Sequence, residues 1–446
     1  MTLPAMAAPV FGIEERPERR WETLLYGWQH TLVDISPFVL PLAVAAAIGM
    51  SAAEEARFVN ACLFSMGLAT LLQTTLGNRL PIVQGPSATL TGTVAPVAGQ
   101  LGAAAMWGGI FVGGLVEAAV GASRILGLLR RLFPPVVAGV VVLTIALALG
   151  EVAVRLAVGD GSGVNFTLAA LVILSVAILQ TRFPKVLGGI LGRGAIFFSI
   201  WGVGLGLGSL LGRVEWTLVA EKPWVSLPTL FPYGGPGFGW EFAWSAGLAI
   251  LAGYFGSMVE SIGDYAATCA VAGERYTVRH MNRGIFAEGL GSALAAVFGG
   301  LPCTSYTQNV GIIAATRVAS RLVVQVAAVV LLLYGLSPKF GALIVAMPRS
   351  VLGGVFVIVC GMIALSGVRL LGAARDAAGD YLVGGTTLIL AVGVPVYVRF
   401  SLGEAWVANL PTALSLFLTN PVVLAVLLGV GLNLAFNLAG PALGSE

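Results

Sequence analysis

Four carboxylates lie where a carboxylate is expensive. Glu117, Glu260, Asp264 and Glu288 all fall within long apolar runs, and a charge at the centre of a membrane-spanning helix costs about 2.5–3.5 kcal/mol on insertion scales. Residues kept at that cost default to functional roles. Glu260 and Asp264 are four apart in Met258-Val-Glu-Ser-Ile-Gly-Asp-Tyr265, a spacing that sets both on one face of a helix. Two like charges on one buried face favour sharing a proton, and a group that binds and releases a proton can couple a proton gradient to the movement of another solute. Asp264 equally suits the plainer task of capping a helix end. Glu288 stands early in a span, in Gly284-Ile-Phe-Ala-Glu-Gly289, and His30 stands at the start of the first apolar run, in Gly27-Trp-Gln-His30. Histidine titrates in the physiological range and suits a proton partner, but His30 and its neighbour Gln29 also fit a passive, interfacial place. Glu117, in Gly114-Leu-Val-Glu117, fits packing between core helices as well as any chemical part.

Two side-chain amides add recognition chemistry. Gln308 and Asn309 open the stretch Gln308-Asn-Val-Gly-Ile-Ile-Ala-Ala-Thr-Arg317. Each offers N–H donors and a carbonyl acceptor, which suits a flat ligand with mixed N–H and C=O edges. A helix beginning here adds free backbone N–H groups for a carbonyl or anionic oxygen, and Gly311 permits close approach of backbone or ligand.

The elements that must position these groups are read from hydropathy. The chain has 446 residues, 57% hydrophobic and 10% charged, against roughly 25% charged in a soluble domain. Its mean hydropathy of +0.93 is spread over the whole length, so nearly every element needs an apolar solvent, and the expected partner is the lipid bilayer. A net charge of +3 gives no reason to expect nucleic acid. Cys62, Cys269, Cys303 and Cys360 are far apart in apolar surroundings without metal-ligand spacing and read as buried thiols; no metal and no cofactor are expected. Paired histidine ligands, a Gly-x-Ser-x-Gly elbow and a glycine-rich phosphate loop are all missing from the sequence, so an enzyme is not expected.

Apolar runs of spanning length fall near 32–50, 58–76, 82–100, 104–123, 134–150, 164–181 and 187–211, and again near 243–263, 284–300, 302–318, 322–337, 349–366, 380–398 and 415–439. The expected fold class is therefore an all-α polytopic membrane protein of fourteen spans. Two sets of seven, an odd number, force the second set to enter from the opposite side, which makes an inverted repeat. Two spans are unusual. Pro81-Ile-Val-Gln-Gly-Pro-Ser-Ala-Thr89 and Leu301-Pro-Cys-Thr-Ser-Tyr-Thr-Gln-Asn309 place prolines and small polar residues before a helix-competent run, so the third and tenth spans read as half extended and half helical. Extended backbone at membrane depth survives only where protein or water satisfies it, and paired interruptions in corresponding positions point to a transport site.

A bacterial-type inner membrane with both termini cytoplasmic is expected from the basic residues. In that orientation Arg79, Arg124, Arg130, Arg131, Arg182, Lys185, Arg275, Arg279, Arg283, Arg317, Arg321, Arg369 and Arg375 all fall on the cytoplasmic side. The first stretch lacks the apolar core and cleavage site of a signal peptide and reads as a cytoplasmic leader. The polar stretch from Arg213 to Glu241 reads as a linker rather than a cover.

The stretch from Gln308 to Arg317 resembles the signature of the nucleobase-ascorbate transporter family: an Asn, a Gly two residues on, and a Thr (Thr316) followed by a basic residue (Arg317), with Gln, Glu or Pro in front. Four further features resemble that family in order along the chain. Gln29-His30 is similar to its first-span pair, Glu260 to Asp264 to its eighth-span acidic motif, Glu288 to its ninth-span carboxylate, and Thr316 to Arg321 to its Thr-Arg-x-x-Ser-Arg ending.

The resemblance implies a homodimeric importer in which a core domain moves against a gate domain. On this chain the division would be a leader at 1–31, core parts at 32–123 and 243–337, gate parts at 124–212 and 338–446, and an external loop at 213–242. It further implies that Glu260 and Gln308 hydrogen-bond a nucleobase, that Asn309 shapes the site, and that Glu288, His30 and Asp264 serve proton coupling, with sodium the alternative ion. Gln at the position of Gln308 goes with xanthine or urate. Uracil, or a sulfate-type anion on the same architecture, is the alternative substrate. One departure stands out: where many members have a third-span aromatic, this chain has Ala88, preceded by Ser87. Stacking on the base would then fall to Tyr306 or Phe255, residues equally suited to core packing.

Overall fold

The computed structural model describes residues 9–32, 34, 36–123, 125–126, 132–183, 190–235, 239–372, 374 and 378–438. Arg124, Arg130, Arg131, Lys185 and Arg375, used above for orientation, lie outside them. The chain is built of helices α1 (Arg20–Thr31), α2 (Ser36–Ala47), α3 (Ala52–Thr75), α4 (Ala88–Ser123), α5 (Pro135–Val158) and α6 (Gly163–Arg182). After α7 (Ala195–Leu210) follow α8 (Trp244–Ala272), α9 (Val278–Val297), α10 (Thr307–Thr316), α11 (Arg321–Gly335), α12 (Pro338–Ala346), α13 (Arg349–Gly372), α14 (Ala378–Tyr397), α15 (Thr412–Thr419) and α16 (Pro421–Asn433). Two short strands, β1 (Gln84–Pro86) and β2 (Cys303–Ser305), precede α4 and α10.

Among the described residues, seven helices are long and apolar enough to cross a membrane, and nine if two sharply bent pairs each count as one span. Those pairs are α11 with α12, bent by 77°, and α15 with the helix after it, bent by 88°. The 36-residue α4 is two helices joined where Gly102 takes φ 83° and ψ 171°, a backbone that glycine adopts without a Cβ penalty. Local signals set the ends. Ser51 and Glu54 form a reciprocal capping box at the start of α3, Asn420 accepts from the amides of Val422 and Val423 at the start of α16, and Gly273 closes α8 in the left-handed conformation.

Packing sorts the helices into two groups. One comprises α3, α4, α8, α9 and α11 with α1, and the other comprises α5, α6, α13, α14 and α16. In the first group α4 and α9 touch through small residues: a Cβ on Gly114 would meet the backbone of Ala293 and Gly289 at 2.7 Å. Glycine there lets the helix axes close up, and any larger residue would force them apart.

Three expectations are corrected. Residues 20–31, placed in the leader, form α1, which packs on α11 with Gly27 against Val326 and Val323. Its polar composition hides one buried face that ends in Gln29, His30 and Thr31. The helix carrying Glu260 runs on to Ala272, so Asp264 lies two turns inside it and not at its end. The stretch 213–242, read as a linker, is held down where it is described. Tyr233 stacks on Trp107 with centroids 4.1 Å apart, the Phe231 amide donates to the Val297 carbonyl, and the Lys339 ammonium donates to the Val219 carbonyl at 2.9 Å.

Candidate functional site

The two interrupted segments meet. β1 and β2 pair antiparallel, Gln84 opposite Ser305, Gly85 opposite Thr304 and Pro86 opposite Cys303. Both strands are buried, and each satisfies backbone groups of the other that lipid could not. α4 and α10 leave from opposite ends of this short ladder. At the first junction the Ser87 hydroxyl, fully buried, accepts from the Leu90 amide at 3.1 Å, and the Ser87 amide donates to the Pro302 carbonyl. Ser87 is thus an N-cap. Ala88, beside it, is half-buried. At the second junction the Tyr306 hydroxyl donates to the Pro86 carbonyl at 3.0 Å and its ring covers Gly85, where a Cβ would stand 2.6 Å from that hydroxyl. Tyr306 therefore ties β2 to β1, and Phe255 packs beside Phe133 with centroids 6.5 Å apart.

Helix α8 is the hub. Residues 260, 261, 264 and 265 share one face and reach three other elements. The half-buried Glu260 accepts from the Thr89 hydroxyl of α4 at 2.8 Å. Ser261 donates to Glu288 of α9 at 2.6 Å, and Tyr265 donates to the same carboxylate at 2.7 Å. Asp264 accepts from the Ser305 hydroxyl of β2 at 2.9 Å. Glu288 is fully buried and well supplied with donors, whereas Glu117 on α4 is fully buried with neither oxygen hydrogen-bonded among the described residues.

α10 carries the amides. Gln308, one residue into the helix, is half-buried and makes no hydrogen bond among the described residues. Asn309 is fully buried, and its amide donates to the His30 ring Nδ1 at 3.1 Å and to the His30 carbonyl at 3.3 Å. Gly311 faces open space, with no atom within 4 Å of a Cβ built there, and is exposed. Gln308 and Gly311 thus share an open side of α10, as Glu260 and the exposed Gly263 do on α8. Gln29 is buried at the end of α1.

The family-type ending has a structural job. Thr316 bonds back to the Ile312 carbonyl at 2.8 Å. Arg317 closes α10 at φ 60°, and its carbonyl accepts from the Val10 amide at 2.7 Å. From there residues 10–13 run alongside 317–321, and the Arg321 guanidinium donates twice to Glu14, at 2.8 and 2.6 Å.

Sequence reasoning missed several residues. Asp34 lies at the break between α1 and α2, 2% exposed, with the Asn309 side chain against it. Its signal was available, since it is an acid within the first apolar run. Thr89, Ser261, Thr304 and Ser305 had no such signal. Small hydroxyls are common in spans, and only the fold shows which of them touch carboxylates.

A helical membrane protein whose two interrupted spans cross beside buried carboxylates and amides is a permease by architecture. Residues 21–400 match a model described as Permease family, and the chain belongs to the nucleobase-ascorbate transporter family. It is 31% identical to the xanthine permease of Bacillus subtilis (strain 168), covering 94% of this chain and 95% of that protein. It is 30% identical to the uric acid permease PucK of the same organism, covering 94% and 96%. Among solved structures, the transmembrane domain of the cyanobacterium bicarbonate transporter BicA aligns with a TM-score of 0.57 over 94% of this chain and 98% of that one. At 16% identity that likeness is one of fold.

Proposed function

We propose that this protein imports a nucleobase, most directly the purines xanthine or urate, by proton symport. The observation that carries the reading is the pairing of Glu260, anchored on Thr89 at one strand–helix junction, with Gln308, unspent at the other. A carboxylate accepts from ring N–H groups, and a side-chain amide both donates and accepts. Together they match a purine edge that alternates N–H and C=O. The curated relatives named for xanthine and uric acid support the same class. Asn309, locked to His30, holds the first turn of α10 so that its backbone N–H groups face the ligand.

In this reading the chain forms fourteen spans as two inverted repeats of seven. The group around α3, α4, α8, α9 and α11, with α1, α2 and α10, is the core, and the group around α5, α6, α13, α14 and α16 is the gate. The core slides against the gate in an elevator motion, within a homodimer in the inner membrane with both termini cytoplasmic. Protonation among Glu260, Asp264 and Glu288 removes buried charge when the base is bound and so lowers the cost of that motion.

The test is uptake of radiolabelled xanthine into cells expressing the chain, with and without a protonophore, and with unlabelled urate, uracil and sulfate as competitors. Saturable, protonophore-sensitive uptake blocked by urate is expected. Uptake competed by sulfate and not by urate would overturn the purine assignment. Unchanged pH dependence and affinity in Glu260→Gln would remove Glu260 from the mechanism.

A further inference from the structure

Two serine hydroxyls lie between two carboxylates of the site, Asp264 and Glu288. The Ser305 hydroxyl stands 2.9 Å from Asp264 Oδ2 and 3.0 Å from the Ser261 hydroxyl, which in turn stands 2.6 Å from Glu288 Oε1. Every step is within hydrogen-bond distance for O–H···O. All four side chains are buried, Asp264 at 5% exposure and the others at 1% or less. Three elements contribute: α8 supplies Asp264 and Ser261, β2 supplies Ser305, and α9 supplies Glu288.

We propose that Ser305 and Ser261 form a proton relay between Asp264 and Glu288. The proposal rests on the proton-coupled reading above and assigns the path within it. With the proton on Asp264, its O–H donates to Ser305, Ser305 donates to Ser261, and Ser261 donates to Glu288. A concerted shift moves each hydrogen one place along. Asp264 loses a proton, each serine gives up one hydrogen and receives another, and Glu288 gains a proton. No alkoxide or oxonium remains, and all three hydrogen bonds persist with their direction reversed.

The surroundings favour transfer in this direction and back. The Thr304 hydroxyl lies 3.0 Å from the Ser261 hydroxyl, either of which can donate, and 3.5 Å from Glu288 Oε1, so it braces the Glu288 end of the chain. The ionisable groups facing Glu288 are Tyr265, Glu260 and Glu117, with Cys303 of β2 and Tyr254 of α8 nearby. Tyr265 donates to the second oxygen, Oε2, at 2.7 Å, so Oε1 keeps the short Ser261 hydrogen bond at 2.6 Å beside a long Thr304 contact at 3.5 Å. Asp264, 5% exposed against 0% for Glu288, lies one turn along the face that carries Glu260, which makes it the end of the chain closer to the open side of α8. Interrupted spans are ordinarily explained by the ligand they expose. Here the extended strand β2 also brings a serine between two helices at a depth where water is scarce.

The experiment uses the full chain in proteoliposomes, with xanthine as the probe and two readouts. Counterflow exchange of labelled for unlabelled xanthine needs no net proton movement, whereas accumulation driven by an imposed pH gradient does. Ser261→Ala and Ser305→Ala are expected to keep exchange and lose gradient-driven accumulation, and Ser305→Thr, which keeps a hydroxyl, is expected to restore it. If an alanine variant does not reach the membrane, the cysteine variant keeps the volume with a weaker donor, and the same split is expected. Alanine variants that accumulate xanthine with an unaltered pH profile would overturn the relay. Wild-type protein that exchanges xanthine without responding to the gradient would instead overturn the proton-coupled reading on which the relay rests.

Discussion

The two strand–helix junctions follow one plan and spend their polar groups differently. At the first, Ser87 caps α4 and Thr89 is committed to Glu260. At the second, the N-cap Tyr306 makes no side-chain cap bond, Asn309 is committed to His30, and Gln308 is left without a side-chain hydrogen bond among the described residues. The first junction is thus a platform, and the second holds a side-chain amide left uncommitted among the described residues. A symmetric scaffold need not carry symmetric chemistry. The paired strands set where the two helices begin, and single residues decide which side chains stay uncommitted there.

The contrast can be broken most severely at Gln308. Gln308→Ala removes no side-chain hydrogen bond among the described residues, so folding should be unaffected. Its loss should weaken xanthine by about tenfold or more, the worth of one or two hydrogen bonds to a bound ligand, as measured by competition in uptake assays. An unchanged affinity would move recognition away from α10. Asn309→Ala should cost about 2 kcal/mol of stability, since two donations to His30 vanish and a buried ring nitrogen is stranded. Thermal unfolding in detergent measures that, and a fully stable variant would show the lock on His30 to be dispensable.

At the platform, Ser87→Ala should cost about 1 kcal/mol through the lost cap while leaving the order of preference among xanthine, urate and uracil unaltered. A changed order would make Ser87 a recognition residue after all. The smallest effect is expected outside the membrane. The Arg321 guanidinium hydrogen-bonded to Glu14 holds its carboxyl below the usual carboxylate range. A depressed group contributes stability that is present above its unfolded value and is lost as pH falls through its folded one. Glu14→Ala should therefore lower the melting temperature slightly at neutral pH, by no more than about 1 kcal/mol for so exposed a pair. In acid below the carboxylate range it should have no effect, and an undiminished effect there would contradict the ion-pair origin.

Much of the plan was legible because membrane depth makes polar residues conspicuous. Glu260, Glu288 and the two interrupted segments stand out against apolar runs, and proline followed by small polar residues marks where helix gives way to strand. Other features gave no such contrast. α1 was taken for leader because its apolar face is narrow and its remainder charged, so its average is near that of a soluble segment. Asp264 was open to a capping role because hydropathy fades near Ile262, although the helix continues to Ala272. The serines of the relay are ordinary in sequence and acquire meaning only when β2 lies against α8. Asp34 was legible and overlooked: an acid three residues beyond the end of α1 deserved the same weight as Glu260.

The most direct test of proton-coupled purine import is to follow protons and substrate together. Proteoliposomes holding the full chain and a pH-sensitive dye would receive external xanthine with no imposed gradient. The account predicts that the lumen acidifies as xanthine enters, and that Glu288→Gln abolishes the acidification. Xanthine entering at full rate with no change in internal pH would contradict it.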